Sequence, residues 1–130
     1  MKKDKNKKIL IVEDDVAIVD IYKTILEKAS FAVDVISSGQ EVIKTLKDIK
    51  SEGEVKPDLI LLDLILPDMN GIEVLKELKG NSATKDIKVF ILTNQEIELQ
   101  DLGGIRPDKY IIKANITPTQ LLEVIKKQLD

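Results

Sequence analysis

The chain has 130 residues, of which 43% are hydrophobic, 33% charged and 3% aromatic, and its formal net charge is −3. This composition predicts one globular domain with an aliphatic core, and the small net charge gives no general attraction to nucleic acid or to a membrane surface. The sequence has neither cysteine nor histidine, which excludes disulfides, thiol catalysis, histidine bases and zinc sites built from these residues. Any chemistry must use carboxylates, hydroxyls and lysines, with or without a hard, oxygen-loving cation.

The basic run at the N-terminus, "MKKDKNKK", predicts a flexible tail over residues 1–7, followed by one domain over residues 8–130. No apolar run approaches the roughly 20 residues of a membrane span, and the tail lacks the apolar centre of a signal peptide. We therefore expect a cytoplasmic protein without a membrane partner and without direct nucleic-acid binding.

Short apolar runs alternate with segments of helical periodicity in the first half of the chain. The predicted elements are a strand at residues 7–13, a helix at 16–29, a strand at 31–36, a helix at 39–49, a strand at 58–62 and a helix that begins at Gly71. The polar residues 50–56 predict a loop before the third strand.

The second half continues this rhythm with predicted strands at residues 88–92 and 109–112. A capping box marks the last helix, with Thr117 as N-cap, Pro118 at the first helical position and Gln120 three residues after the cap.

The segment between these two strands, residues 94–107, is the weakest helical pattern in the chain. It has few apolar residues and contains Gly103, Gly104 and Pro107. Glycine and proline both disfavour helix interiors, so the segment predicts only a short or mobile helix.

The repeated strand–helix unit, with continuous apolar strands, predicts a parallel sheet covered by helices on both faces. Such open sheets bind ligands beyond the carboxyl ends of their strands. The polar residues at those ends are Glu13, Asp14 and Asp15 after the first strand, Asp63 after the third, Thr93 after the fourth and Lys113 after the fifth. Asp63 stands inside the apolar run "LILLDLILP", and we expect it at the edge of the core and not within it.

The chemistry of these strand ends points to phosphoryl transfer. Asp15 is predicted to cap the first helix, but the other carboxylates would repel one another unless a cation or protons relieved them. A magnesium ion suits such a site because it takes oxygen ligands and keeps several waters. A free carboxylate with Lys113 and Thr93 beside it is suited to attack an incoming phosphoryl group in line. The pattern therefore predicts a site for phosphoryl transfer.

Four segments in register, "ILIVEDD", "LLDLILPDMNG", "ILTN" and "YIIKA", resemble the response-regulator receiver domains of two-component signalling, in particular single-domain receivers of the chemotaxis type. The resemblance covers residues 8–129. It implies an α/β fold with a doubly wound, five-stranded parallel sheet in the flavodoxin-like order 2-1-3-4-5 and with five helices, the fourth short or mobile.

The resemblance implies a magnesium-dependent phosphorylation site. Asp63 matches the phospho-accepting aspartate, Asp14 the acidic residue that binds the metal directly, and Glu13 the neighbour that acts through water. Ile65 matches the position whose backbone carbonyl completes the metal shell. The implied cofactor is Mg²⁺, with Glu13, Asp14, Asp63 and Ile65 around it.

Three more positions match the receiver pattern. Thr93 matches the residue whose hydroxyl moves with the phosphoryl group, and Lys113 matches the lysine of the family site. Asp63, Thr93 and Lys113 therefore form the implied catalytic set. Tyr110 matches the aromatic switch residue, whose ring turns inward when the threonine moves.

The resemblance also implies partners. The phosphoryl donor would be a histidine kinase or a histidine phosphotransfer protein, and the output would be read by an unknown downstream protein on the face made by the fourth helix, fifth strand and fifth helix. We expect a monomer or a phosphorylation-dependent dimer, acting by docking on partners or as part of a longer regulator. Without histidine, the chain cannot be the histidine carrier of a phosphorelay.

Three positions depart from the receiver pattern. Ala114 follows Lys113 where the family usually has proline, which predicts either a differently shaped trans loop or other contacts that hold Lys113. Asn94 replaces a small residue after Thr93 and is predicted to crowd the phosphoryl site. Ile65 cannot orient a hydrolytic water, which predicts slow self-dephosphorylation.

Other functions remain open. The departures at Ala114 and in residues 94–107 are compatible with a degenerate receiver that acts only as a phosphorylation-independent interaction module. A phosphohydrolase of the haloacid-dehalogenase type would need a second aspartate where Ile65 stands, and a nucleotide-binding module would need a glycine-rich phosphate loop that the sequence lacks.

Overall fold

A computed structural model describes residues 7–48, 56–97 and 99–129. Its strands are β1 (Lys8–Val12), β2 (Ala32–Ile36), β3 (Leu59–Leu62), β4 (Lys88–Thr93) and β5 (Lys109–Ile112). Its α-helices are α1 (Val16–Lys28), α2 (Gly39–Lys47), α3 (Gly71–Lys79) and α4 (Pro118–Leu129). The predicted tail lies outside the described residues except for Lys7, as does most of the predicted loop at residues 50–56.

The five strands form one parallel sheet in the order β2-β1-β3-β4-β5, which confirms the predicted topology. The central strand β3 is apolar throughout, and all of its residues are buried. One core cluster includes residues of α2 and α3, and the other includes residues of α1 and α4, so the sheet is covered on both faces as the continuous apolar strands predict. The carboxyl ends of all five strands therefore meet at one edge.

The prediction of five helices is wrong for the described residues, which contain four α-helices. In place of the predicted fourth helix there is a 3-10 helix at Leu99–Leu102. Gly103 and Gly104 follow it with φ values of 60° and 87°, in the left-handed region that ends helices. The segment is thus short, as its glycines predict, and too short to count as an α-helix.

The helix starts follow the predicted caps. The Asp15 side chain accepts hydrogen bonds from the N–H groups of Ala17 and Ile18. The capping box of α4 is also present, since Gln120 N–H donates to Thr117 Oγ1 and Thr117 N–H donates to Gln120 Oε1. Asp15 is therefore accounted for by helix capping.

No helix within the described ranges is long and apolar enough to cross a membrane.

Candidate phosphoryl-transfer site

The polar residues at the strand ends converge as the parallel topology requires. Glu13 directly follows β1, Asp63 follows β3, and Lys113 follows β5, while Thr93 is the last residue of β4. Glu13, Asp63 and Thr93 are buried, with 5%, 7% and 0% of their surface exposed. Buried polar side chains are costly without partners, so each of them needs a partner in this site.

Three carboxylates form a cluster that could hold a divalent cation. One oxygen each from Glu13, Asp14 and Asp63 lies within 4.8 Å of the other two. Asp14 is exposed, so the cluster is open to solvent on one side. Hard oxygen ligands with room for water are the donor set that Mg²⁺ prefers, and the cluster therefore fits the ion that the sequence predicts.

Lys113 joins two of these carboxylates. Its Nζ forms an ion pair with Glu13 Oε1 and a second with Asp63 Oδ2, at 3.2 Å from the latter. The side chains of all three residues are largely buried, with exposed fractions of 11% for Lys113, 5% for Glu13 and 8% for Asp63. The ammonium group therefore offsets the negative charge that the strand ends bring together.

The buried charges shift one another's pKa values. Burial is the largest influence on Glu13 and, with the nearby charge of Asp63, raises its pKa against the opposing effect of the Lys113 hydrogen bond. Burial is the largest influence on Lys113 and would lower its pKa, but the hydrogen bond that Lys113 donates to Glu13 and the charges of both carboxylates together raise it. Lys113 is thus held as a cation beside Asp63.

Close backbone packing fixes the loop that carries Asp63. The Ile65 N–H donates to Asp63 Oδ1 at 3.2 Å, and the Gly71 N–H donates to the Leu64 carbonyl at 2.8 Å. A Cβ atom on Gly71 would lie 2.4 Å from the Asp63 carbonyl oxygen and 2.7 Å from Leu64 Cα. Only glycine allows this approach, so Gly71 is part of what positions the acceptor.

Asp68 supports the loop after Asp63 through contacts that the sequence pattern does not indicate. Its carboxylate accepts hydrogen bonds from the N–H groups of Gly39 and Gln40 at 2.8 and 2.9 Å, at the start of α2. These hydrogen bonds, of which the one from Gln40 has the largest effect, hold the pKa of Asp68 below its usual value. The carboxylate thereby ties the loop after Asp63 to a helix 29 residues earlier in the chain.

The depressed pKa of Asp68 predicts a pH-dependent contribution to stability. We expect Asp68→Asn to lower the thermal unfolding midpoint at neutral pH, where the wild-type carboxylate is charged. Because the folded pKa lies below the unfolded one, this contribution is complete above the unfolded pKa of about 3.9 and is lost as the pH falls through the folded value. Unfolding midpoints of both proteins measured from pH 7 downward should converge in acid; a constant difference would contradict the assignment.

Thr93 and Tyr110 lie on neighbouring strands beside the site. Thr93 Oγ1 accepts a hydrogen bond from the Gln95 N–H at 3.3 Å. The Tyr110 hydroxyl donates to the Gln95 carbonyl, and 36% of the tyrosine surface is exposed. Both residues thus contact the same short loop after β4.

The loop after Lys113 is a 3-10 turn over Lys113–Asn115. None of the peptide bonds among the described residues is cis, so the Lys113–Ala114 bond is trans. Asn94, which the sequence predicts to crowd the phosphoryl site, uses its Oδ1 to accept a hydrogen bond from the Ala114 N–H at 2.9 Å. The structure therefore has a trans peptide bond after Lys113 and, in addition, a side-chain contact from Asn94 to the residue that follows Lys113.

Comparisons with known proteins agree with this geometry. Residues 9–126 match the family described as the response regulator receiver domain. The alkaline phosphatase synthesis transcriptional regulatory protein PhoP of Bacillus subtilis is 37% identical over 110 residues, which are 83% of this chain and 42% of that protein. The chain spans about half the length, or less, of the curated relatives it matches.

Solved structures share the whole fold. A CheY-like response regulator receiver domain protein from Methanospirillum hungatei superposes with a TM-score of 0.81 and 32% identity, covering 97% of this chain and 95% of that one. The Mn²⁺-bound form of the response regulator Rcp1 gives a TM-score of 0.76 and 28% identity, covering 93% of this chain and 90% of that one. The similarity thus extends over all elements that build the site.

Proposed function

The chain belongs to the response-regulator receiver family, and on that premise we propose that Asp63 accepts a phosphoryl group from a histidine kinase or a histidine phosphotransfer protein. Receiver domains are signalling switches and not turnover enzymes. The observation that carries the proposal is the contact of the Lys113 ammonium with Asp63 at the edge of a carboxylate cluster that could hold a metal ion. A carboxylate in such surroundings is suited to receive a dianionic group.

The transfer is a single displacement at phosphorus. A carboxylate oxygen of Asp63 attacks the phosphorus of the donor's phosphohistidine, a P–O bond forms as the P–N bond breaks, and the imidazole leaves with the electron pair and is protonated by solvent. Lys113, already beside Asp63, donates a hydrogen bond to an oxygen of the transferring group. The Ile65 N–H holds the other carboxylate oxygen of Asp63 in place.

The proposed direct metal ligands are the carboxylates of Asp14 and Asp63 and the backbone carbonyl of Ile65, and Glu13 would act on the ion through a bound water. A bound magnesium ion would supply positive charge to the oxygens of the transferring group. The metal-bound form of the relative Rcp1 supports a divalent cation in this family, and the all-oxygen donor set supports magnesium.

The proposed output is a change in the loop after β4. Thr93 would exchange its hydrogen bond with Gln95 for one to the phosphoryl group, and Tyr110, which holds the Gln95 carbonyl, would turn inward as the loop moves. Phosphorylation would then shift a two-state equilibrium and change binding to a downstream protein or to a second copy of the chain.

The test is the intact mass of the chain after incubation with acetyl phosphate, with and without magnesium. We expect one added phosphoryl group that requires magnesium and is absent from Asp63→Asn. Asp34→Asn, which changes an exposed aspartate on β2, serves as the matched control and should be labelled like the wild type. If neither acetyl phosphate nor phosphorylated histidine kinases label the chain, and magnesium does not bind, the phosphorylation-independent interaction module is the better description.

Slow loss of the phosphoryl group is expected from Ile65. Its side chain is 60% exposed beside Asp63, yet it has no polar atom to orient an attacking water. We expect a phosphoryl half-life of minutes or longer, and a several-fold shorter one in Ile65→Asn, with Ile65→Val unchanged. The decay of the phosphorylated mass after removal of the donor measures both, and a wild-type half-life of seconds would refute the prediction.

A further inference from the structure

The turn that carries Lys113 begins with backbone donors that the turn itself cannot satisfy. Lys113–Asn115 is one 3-10 turn, closed by the Ile116 N–H donating to the Lys113 carbonyl at 3.3 Å. The first N–H groups of any helical turn have no partner within it. The N–H of Ala114 is one of these, and the residue usual at this position of the family, proline, would have no N–H at all.

Asn94 supplies the missing acceptor. Its Oδ1 lies 2.9 Å from the Ala114 nitrogen, across 20 residues of sequence. The donor is a backbone N–H, which fixes the orientation of the amide, because only the oxygen can accept. Two of the three departures from the receiver pattern, Asn94 and Ala114, thus meet in a single hydrogen bond.

This hydrogen bond connects two loops that both reach the phosphorylation site. Asn94 directly follows Thr93, and Ala114 directly follows Lys113. Tyr110 makes a second connection between the same regions through the Gln95 carbonyl. The residues that directly follow Thr93 and Lys113 are therefore joined by the amide of Asn94.

We propose that Asn94 is a positioning residue for Lys113, holding the Lys113–Asn115 turn through the Ala114 N–H in place of the proline that the family usually has there. The proposal rests on the proposed phosphorylation of Asp63 for its rate effect, but not for its structural effect. Asn94 touches neither Asp63 nor Lys113 through a hydrogen bond among the described residues, so its effect passes through the turn.

The first measurement is the initial rate of magnesium-dependent labelling by acetyl phosphate, followed by intact mass. We expect Asn94→Ala to slow labelling about 3- to 10-fold, the range that one net hydrogen bond supplies. Gln100→Ala is the matched control, because it removes an exposed amide from the same connection between β4 and β5 without touching Thr93, Tyr110 or the turn after Lys113. Equal rates for Asn94→Ala and the wild type would overturn the proposal.

The second measurement is hydrogen exchange at the Ala114 amide, which does not depend on phosphorylation. We expect exchange to accelerate severalfold in Asn94→Ala and to stay slow in Gln100→Ala and in Asn94→Asp, which keeps an acceptor oxygen. A protein that is not labelled at all would count against the proposed function, whereas unchanged exchange in Asn94→Ala would count against the role of Asn94. Slower labelling without faster exchange would likewise reject positioning through the turn.

Discussion

Replacing Lys113 with methionine is expected to slow phosphorylation of Asp63 and, at the same time, to strengthen magnesium binding. Methionine keeps an unbranched apolar stem and removes the ammonium that contacts Glu13 and Asp63. Loss of one preorganised donor to a developing charge costs roughly 10²- to 10³-fold in rate. The same substitution frees two carboxylates from an ammonium group that competes with the metal ion. A charge within ~4–6 Å typically changes the affinity of a carboxylate for a proton by 1–3 pK units. By the same electrostatic effect, we expect magnesium affinity to rise about tenfold or more.

Titration calorimetry with magnesium and the labelling rate with acetyl phosphate measure the two effects separately. The matched control is Lys109→Met, which removes an exposed ammonium from β5, the strand that Lys113 follows, and should change neither quantity by more than twofold. Weaker magnesium binding in Lys113→Met would show that Lys113 orders the carboxylates for the metal and does not compete with it. An unchanged labelling rate would remove Lys113 from the catalytic set.

Replacing Gly71 with alanine is expected both to destabilise the protein and to slow phosphorylation of Asp63. The new Cβ would lie 2.4 Å from the Asp63 carbonyl oxygen, and the obstacle is backbone, which cannot rotate away as a side chain can. Overpacking of this kind costs about 1–3 kcal/mol, and a displacement of about 1 Å at a reacting group can cost 10²-fold in rate. We therefore expect a lower denaturation midpoint and labelling slowed by roughly that factor.

Gly80→Ala is the matched control, because Gly80 ends the helix that Gly71 begins. Gly80 has φ −88°, which any residue adopts, and its new Cβ would lie 3.1 Å from the Lys76 carbonyl oxygen. We expect it to change the free energy of unfolding by less than about 1 kcal/mol. Urea denaturation and labelling rates of both variants check the pair, and a stable, fully active Gly71→Ala would show that the loop after Asp63 adapts without loss.

The fold and the edge that bears the site are readable from local patterns. Continuous apolar runs predict buried parallel strands, and the side chains that follow such strands must meet at one edge, whatever the loops do. Glu13, Asp63 and Lys113 could therefore be grouped although 50 and 100 residues separate Lys113 from the two acids. The caps at Asp15 and Thr117 are also local, because each involves atoms only two or three residues apart.

The tertiary structure alone decided the contacts made by side chains across loops. Asp68 reaches the start of α2, and Asn94 reaches the turn after Lys113, because packing of the helices against the sheet brings those backbone donors within reach. Neither hydrogen bond has a sequence spacing that could indicate it. In residues 99–104 the glycines predict a short segment, but only the structure shows that it is a 3-10 helix and not an α-helix. Sequence thus determined which groups meet at the site, and packing determined what holds them in place.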